Sequence, residues 1–346
     1  MLVDQLRPQD RVALVVYAGA AGLVLPSTPG TEKSRIKAAI NQLSAGGSTA
    51  GGAGIQLAYA TARQHFIPKG NNRVILCTDG DFNVGTSSEE GLVQLIEKER
   101  EGGTYLTVLG FGTGNYQDGK MQQLANKGNG NHGYIDGLGE AKKVLVREFG
   151  GTLFTIAKDV KLQLHFNPQQ VAGYRLIGYE NRLLATEDFH DDTKDAGELG
   201  AGHRVTALYE LIPTGQPLPP LSKVDSALVV VAQPDKSVKI SADDLMVLQL
   251  RYKQPSGSAP SQLMEYRLNA AALDRREESE NFKLASAVVE FGLLLRESKF
   301  RGNATYASAL GRARAAAALH DAGGYRSELV GLIETASRLS GKGTGK

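Results

Sequence analysis

The stretch Arg73-Val-Ile-Leu-Cys-Thr-Asp-Gly-Asp-Phe-Asn-Val84 decides the fold of this chain. Its first half is a continuous apolar and β-branched run, which is typical of a strand buried on both faces in a parallel sheet covered by helices. The run stops at Asp79, so we expect this carboxylate at the carboxyl edge of the sheet, where open α/β sheets bind ligands. Together with Ser48 and Thr49 in an earlier glycine-rich loop, Asp79 indicates a site for a hard divalent cation.

Strand and helix patterns alternate through residues 1–150, which predicts a doubly wound, mostly parallel α/β domain with helices on both faces of the sheet. The predicted strands are Arg11–Tyr17, Leu23–Leu25 (ending at Pro26), Arg73–Asp79, Tyr105–Phe111 and Gly133–Asp136. The predicted helices are Thr31–Leu43 with Thr31 as N-cap, Ala53–Phe66, Glu89–Glu101, Lys120–Lys127 and Glu140–Phe149.

The pattern changes after residue 150. Residues 151–273 contain strictly alternating segments such as Val160–Phe166, His203–Leu211 and Leu245–Tyr252, separated by turn-rich stretches, and they predict an antiparallel β-sandwich. Residues 274–340 carry helical periodicity and predict a C-terminal helical segment. Residues 341–346 are expected to be a disordered tail.

Composition excludes several classes of function. The formal net charge of the 346 residues is +2, which is too small to favour nucleic acid or an anionic membrane surface as a partner. The sequence has no apolar stretch of membrane-spanning length. Cys77 is the single cysteine, so an intramolecular disulfide is excluded, and its place in the apolar run predicts a small core residue.

Several motifs together resemble those of von Willebrand factor A domains. They are Gly46–Gly54 opening a helix, Cys77–Gly85 closing a strand, and Leu109-Gly-Phe-Gly after the next strand. More narrowly, the whole chain resembles bacterial envelope proteins in which this domain precedes a C-terminal region of unknown function. Gly128–Tyr134, Ala157–Lys161 and Ile177–Arg182 add to that match.

The resemblance implies a non-enzymatic protein-binding module with a metal-ion-dependent adhesion site. Thr49 and Asp79 match two of its metal ligands, and Ser48, Gly80 and Asp81 would shape the rim of the ligand edge. The implied metal is Mg²⁺, with Mn²⁺ or Ca²⁺ as substitutes, and an acidic side chain of a protein partner completes its coordination shell. The resemblance also implies a location in the cell envelope or periplasm.

The sequence departs from this family at the decisive place. An Asp-x-Ser-x-Ser loop, the third part of the site, does not occur in it. The first residues resemble the end of the family's first helix, so we expect an N-terminally truncated chain that lacks the central strand and that loop. With two ligands of five, metal binding by the chain as written is not expected. The strand at Arg11–Tyr17 then pairs directly with Arg73–Asp79, or the natural protein is longer.

Two other functions compete with metal-dependent recognition. One is a scaffold module that binds partners without metal. The other is a Mg²⁺-dependent phosphatase of the haloacid-dehalogenase type, with Asp79 as nucleophile and Asp81 as general acid. Against the phosphatase, Asn83 stands where such enzymes place Thr or Val, and the downstream lysine and acidic pair are not evident.

Overall fold

The computed structural model describes residues 1–17, 21–44, 46, 51–68, 70–79, 89–114, 116–148, 155–179, 183–194, 196–218, 229–233, 238–255, 260–272 and 277–342. These residues fall into two compact units. The first comprises residues 1–162, 187–204 and 250–263, and the second comprises residues 163–186, 205–249 and 264–346. Each unit has its own buried apolar clusters. The domain boundary near residue 150 stays a prediction.

The first unit begins with alternating strands and helices. They are α1 (Leu2–Gln5), β1 (Arg11–Val16), β2 (Gly22–Pro29), α2 (Lys33–Asn41), α3 (Gly51–Gln64), β3 (Asn72–Thr78), α4 (Glu89–Glu101), β4 (Thr104–Gly110), α5 (Asp118–Lys127), β5 (His132–Tyr134) and α6 (Leu138–Lys142). A π-helical turn, Lys143–Arg147, continues α6. The α/β fold class predicted from the sequence is therefore confirmed.

A parallel sheet of order β3-β4-β5 forms the centre of this unit. Alternate side chains on one of its faces, such as Val74, Leu76 and Leu106, pack against α3, α4 and α5 in the largest cluster of the unit. On the other face, Ile75 and Leu109 lie near the π-helical turn. Helices thus cover both faces, as the uninterrupted apolar pattern of β3 and β4 predicts.

Strands β1 and β2 form a separate antiparallel pair, and α1 and α2 cover them through a cluster around Ile36. The pairing shifts from Val12–Thr28 to Leu14–Leu25, so β2 carries one extra residue at Pro26 and Ser27. A bulge is where a strand tolerates proline. The prediction that the strand ends at Pro26 is therefore wrong, since β2 runs on to Pro29.

Strands β1 and β3 do not pair with each other in the described part of the chain. Among the described strands, β3 is the edge of its sheet, although its sequence is that of a buried central strand. Direct pairing, one of the two outcomes considered for a chain without the central strand, is not what the structure adopts. Cys77 is exposed on this edge strand, so its assignment as a core residue is wrong.

The remaining strands form two antiparallel sheets, of order β10-β7-β9 and β12-β11-β6-β8. Their bounds are β6 (Thr155–Phe166), β7 (Val171–Ile177), β8 (Gly197–Gly200), β9 (Leu208–Pro213), β10 (Val230–Val231), β11 (Asp244–Lys253) and β12 (Gln262–Asn269). Short 3-10 turns lie at Thr186–His190 and Ala270–Ala272. In the second unit, Phe166 of β6 packs 4.5 Å from the ring of Tyr174 on β7, so the two sheets share an apolar core there.

The C-terminal helices are α7 (Glu280–Leu295), α8 (Tyr306–Leu319) and α9 (Tyr325–Lys342). Small side chains at Ala309 and Ala313 let them pack closely around Ile333. α9 continues through Lys342, two residues into the segment for which the sequence predicts disorder. Among the described residues, no helix has the length and apolar character needed to cross a membrane.

Two further local predictions are wrong. Thr31 does not cap α2, because the helix begins after Glu32 and has no side-chain cap. The strand predicted at His203–Leu211 forms only from Leu208, and the preceding residues are irregular. The alternation of apolar residues therefore predicts too long a strand here, because the partner strand does not continue.

Candidate functional site

Asp79 lies at the carboxyl edge of the parallel sheet, as predicted. It follows β3 directly and is exposed. The turn after β4 passes beside it, because the backbone N–H of Phe111 donates to the carbonyl of Thr78 at 2.8 Å. Gly112 follows with a φ of +79°, and a Cβ atom at Gly112 would lie 3.8 Å from that of Asp79. The Asp79 carboxylate therefore lies at the sheet edge formed by the ends of β3 and β4.

Tyr17, immediately after β1, connects the hairpin to this edge. Its hydroxyl donates a hydrogen bond to the carbonyl of Cys77 on β3. Its side chain packs on α3 where Gly54 leaves room, since a Cβ atom at Gly54 would lie 2.5 Å from Cβ of Tyr17. Burial raises the pKa of the Tyr17 phenol, and the nearby charge of Asp79 adds to the rise. Tyr17 therefore stays a neutral donor beside the carboxylate.

An aromatic group occupies the same edge at the ends of β4 and β5. The hydroxyl of Tyr134 donates to the carbonyl of Gly112 at 2.5 Å. The Tyr116 ring lies 4.8 Å from that of Tyr134, and its hydroxyl is 2.5 Å from Nε2 of His132. Burial lowers the pKa of His132, against the opposing effect of Asp118, so the imidazole is neutral at pH 7.

Sequence reasoning missed this aromatic group as part of the site. His132 and Tyr134 were visible in the segment Gly128-Asn-Gly-Asn-His-Gly-Tyr134, which ends with β5. Tyr116 lies in the connection between β4 and α5, and no periodicity marks it. Only the parallel pairing of β4 with β5 brings these rings together.

The other predicted site residues lie outside the described part of the chain. These are Thr49 and Ser48 in the glycine-rich loop, and Gly80 and Asp81 after β3. Among the described residues, no group of three or more His, Cys, Asp and Glu side chains is placed to hold a metal ion. Since Mg²⁺ prefers about six oxygen ligands, Asp79 with its described neighbours does not by itself form a magnesium site.

The fold and its carboxylate edge define a class of protein. Residues 1–143 match the von Willebrand factor type A domain, and residues 151–339 match the C-terminal region of the uncharacterized protein YfbK. The chain belongs to this family, in which a von Willebrand factor type A domain is followed by the YfbK C-terminal domain.

An individual relative agrees with the family match. The chain is 42% identical over 341 residues to the uncharacterized protein YfbK of Escherichia coli (strain K12). That alignment covers 98% of this chain and 57% of the relative, so the chain spans little more than half the length of that protein.

Two solved structures are similar to parts or most of this chain. A von Willebrand factor type A protein from Catenulispora acidiphila is 18% identical and covers 96% of this chain and 75% of its own, with a TM-score of 0.47. Proximal thread matrix protein 1 from the mussel byssus, with a zinc-occupied MIDAS motif, is 24% identical. It covers 42% of this chain and 36% of its own, with a TM-score of 0.33.

Proposed function

We propose that the chain is a non-enzymatic protein-binding module that recognises its partner at the carboxyl edge of the sheet β3-β4-β5. A von Willebrand factor type A domain indicates a protein-interaction module in general terms. The observation that carries the finer proposal is the exposed carboxylate of Asp79, set where open α/β sheets place their ligands.

The surroundings of Asp79 suit a protein surface. The rings of Tyr116 and Tyr134 lie in contact at the same edge, and tyrosine is enriched in the energetically important parts of interfaces. The hydroxyls of Tyr134 and Tyr17 are both committed to backbone carbonyls, which holds the two strand ends in place. A partner would therefore meet a preorganised surface, and preorganisation lowers the entropy cost of binding.

We propose that this chain binds its partner without a tightly held metal. In support, the sequence lacks an Asp-x-Ser-x-Ser loop, and among the described residues no three His, Cys, Asp or Glu side chains are placed to hold a metal ion. Without a cation, Asp79 is an anionic acceptor and favours a lysine, an arginine or an N–H donor of the partner. In a chain that supplied the missing loop, Thr49 and Asp79 would help to bind Mg²⁺, Mn²⁺ or Ca²⁺, and Ser48, Gly80 and Asp81 would line its rim. An acidic partner residue would then be favoured.

A cell-envelope location belongs to the same proposal and follows from the family resemblance alone. Fractionation of the native cells tests it, since recovery of the protein only with the ribosome-containing fraction would contradict an envelope location.

Quantitative co-purification tests the binding edge. The tagged chain, its Asp79→Asn variant and its Glu101→Gln variant are compared in native cells by mass spectrometry, with Mg²⁺ or with a chelator. Glu101 is an exposed carboxylate at the end of α4, ahead of the amino end of β4, and serves as the matched control.

We expect one set of partners that Asp79→Asn depletes at least tenfold, that Glu101→Gln retains, and that the chelator leaves unchanged. Equal recovery with Asp79→Asn would contradict the edge as the binding site. Loss with the chelator alone would contradict metal-free binding. If the chain hydrolysed p-nitrophenyl phosphate with Mg²⁺ and Asp79→Asn abolished this activity, the phosphatase hypothesis would be favoured over the binding function.

A further inference from the structure

A cavity of about 220 Å³ lies within the second unit, where the end of β7 meets the turn that follows α7. Part of its wall is apolar and includes Ile177 and Leu293. Another part is cationic and polar and includes Arg296, Ser298 and Lys299. None of the described residues that line the cavity is acidic. The wall is therefore an amphipathic surface with positive charge, and it shares no residue with the carboxylate edge.

The turn that carries these polar side chains is held by its own hydrogen bonds. The N–H of Arg296 donates to the carbonyl of Gly292 at 3.1 Å. The N–H of Ser298 donates to the carbonyl of Leu293 at 2.9 Å. Both acceptors belong to the last turn of α7, so these bonds reduce the negative partial charge that an anion meets at a helix C-terminus. The hydroxyl of Ser298 accepts from the N–H of Phe300 at 3.3 Å and, as a hydroxyl, can also donate its own proton.

The cations of the wall differ in how far a ligand can reach them. A third cation, Arg175, is buried, and its guanidinium carbon lies 4.2 Å from the ring centre of Phe300. It pairs with Glu210 at 2.6 Å, so its charge is compensated within the protein. Arg296 and Lys299 are exposed instead. Ion pairs of exposed side chains are weak, so an anionic ligand can displace the groups that pair with these two cations.

We propose that this cavity binds a small organic phosphate monoester. At pH 7 such a headgroup carries a charge of about −1.5 to −2 on three acceptor oxygens, and these match two cations and a hydroxyl within the single turn Arg296–Lys299. A carboxylate has one charge and two oxygens and would leave part of this turn unused. The short hydrocarbon part would lie against Ile177 and Leu293, which inorganic phosphate would leave uncovered. The volume is below the about 300–1,000 Å³ of pockets for drug-sized ligands, so the ligand is small.

An NMR titration of backbone amides tests the proposal at the turn itself. The whole chain, labelled with ¹⁵N, is titrated with n-butyl phosphate, pentanoate and inorganic phosphate at an ionic strength of about 0.15 M, where distant exposed charges are screened. Pentanoate has the same hydrocarbon chain with a carboxylate, and inorganic phosphate has the headgroup alone. We expect a saturable shift of the amide signals of residues 296–300 with n-butyl phosphate, and at least fivefold weaker binding of each of the other two anions.

Two exposed cations supply matched variants that leave the buried wall intact. Lys299→Gln removes a charge from the cavity wall, and Arg301→Gln removes one from an equally exposed side chain that is not part of the described wall. We expect at least fivefold weaker binding of n-butyl phosphate with Lys299→Gln and less than a twofold change with Arg301→Gln. No saturable shift at residues 296–300, equal binding of pentanoate or inorganic phosphate, or equal losses in the two variants would each overturn the proposal.

Discussion

Removing the hydroxyl of Tyr17 should loosen the connection between the hairpin β1-β2 and the sheet edge at β3. In Tyr17→Phe, the carbonyl of Cys77 loses its tyrosine donor. A net hydrogen bond contributes about 0.5–1.5 kcal/mol, so we expect a loss of about 1 kcal/mol. Tyr17→Ala also removes a half-buried ring packed on Gly54, and we expect roughly 3 kcal/mol in total.

Hydrogen exchange read by mass spectrometry measures this effect locally, which suits a chain of two units. A loss of about 1 kcal/mol corresponds to roughly fivefold faster exchange through local opening in β1 and β3. Tyr252→Phe is the matched control, since its hydroxyl donates to Gln262 at 2.9 Å, away from these strands. Unchanged exchange of β1 and β3 in Tyr17→Phe would refute the role given to this hydrogen bond.

Three more predictions concern Gly130, His132 and the effect of Mg²⁺. Gly130→Ala should lower the free energy of unfolding by more than about 3 kcal/mol, because its Cβ would lie 1.7 Å from the carbonyl oxygen of Leu106. Gly139→Ala in α6 is the control, since its Cβ would meet no atom within 4 Å, and thermal melts should show it to be neutral or stabilising. The pKa of His132 is lowered in the folded state, so as pH falls the unfolded state binds this proton first, and stability should fall as pH drops below about 6.5. In His132→Gln, the melting temperature should depend less on pH in this range. An unchanged pH dependence would contradict the lowered pKa of His132. Mg²⁺ at a few millimolar should leave the melting temperature of this chain unchanged, and a rise that grows with Mg²⁺ concentration would contradict metal-free binding.

The main strands could be predicted because their sequence pattern is local. The uninterrupted apolar run of β3 and β4 predicts buried strands, and α4 begins and ends where its periodicity places it. Pro26 was misleading because a bulge, which depends on the pairing of β1 with β2, keeps it inside the strand. Cys77 was misleading because it belongs to the same apolar run as the rest of β3 and is nevertheless exposed.

Of the candidate site, only the position of the Asp79 carboxylate could be predicted from the sequence. Asp79 could be placed from the abrupt end of an apolar strand. Tyr116 and His132, which are in contact, lie 16 positions apart in the sequence, and Tyr17 and Cys77 lie 60 positions apart. Helix and strand periodicity does not predict contacts over such separations.

Site-specific photo-crosslinking tests most directly whether the edge around Asp79 meets a protein partner. A photoreactive amino acid replaces Tyr134 at the edge or, as control, Glu101 ahead of the amino end of β4, and the adducts formed in native cells are compared with and without Asp79→Asn. The account predicts a discrete protein adduct from position 134 that Asp79→Asn abolishes, and none from position 101. A position-134 adduct that persists in Asp79→Asn, or an equal adduct from position 101, would contradict it.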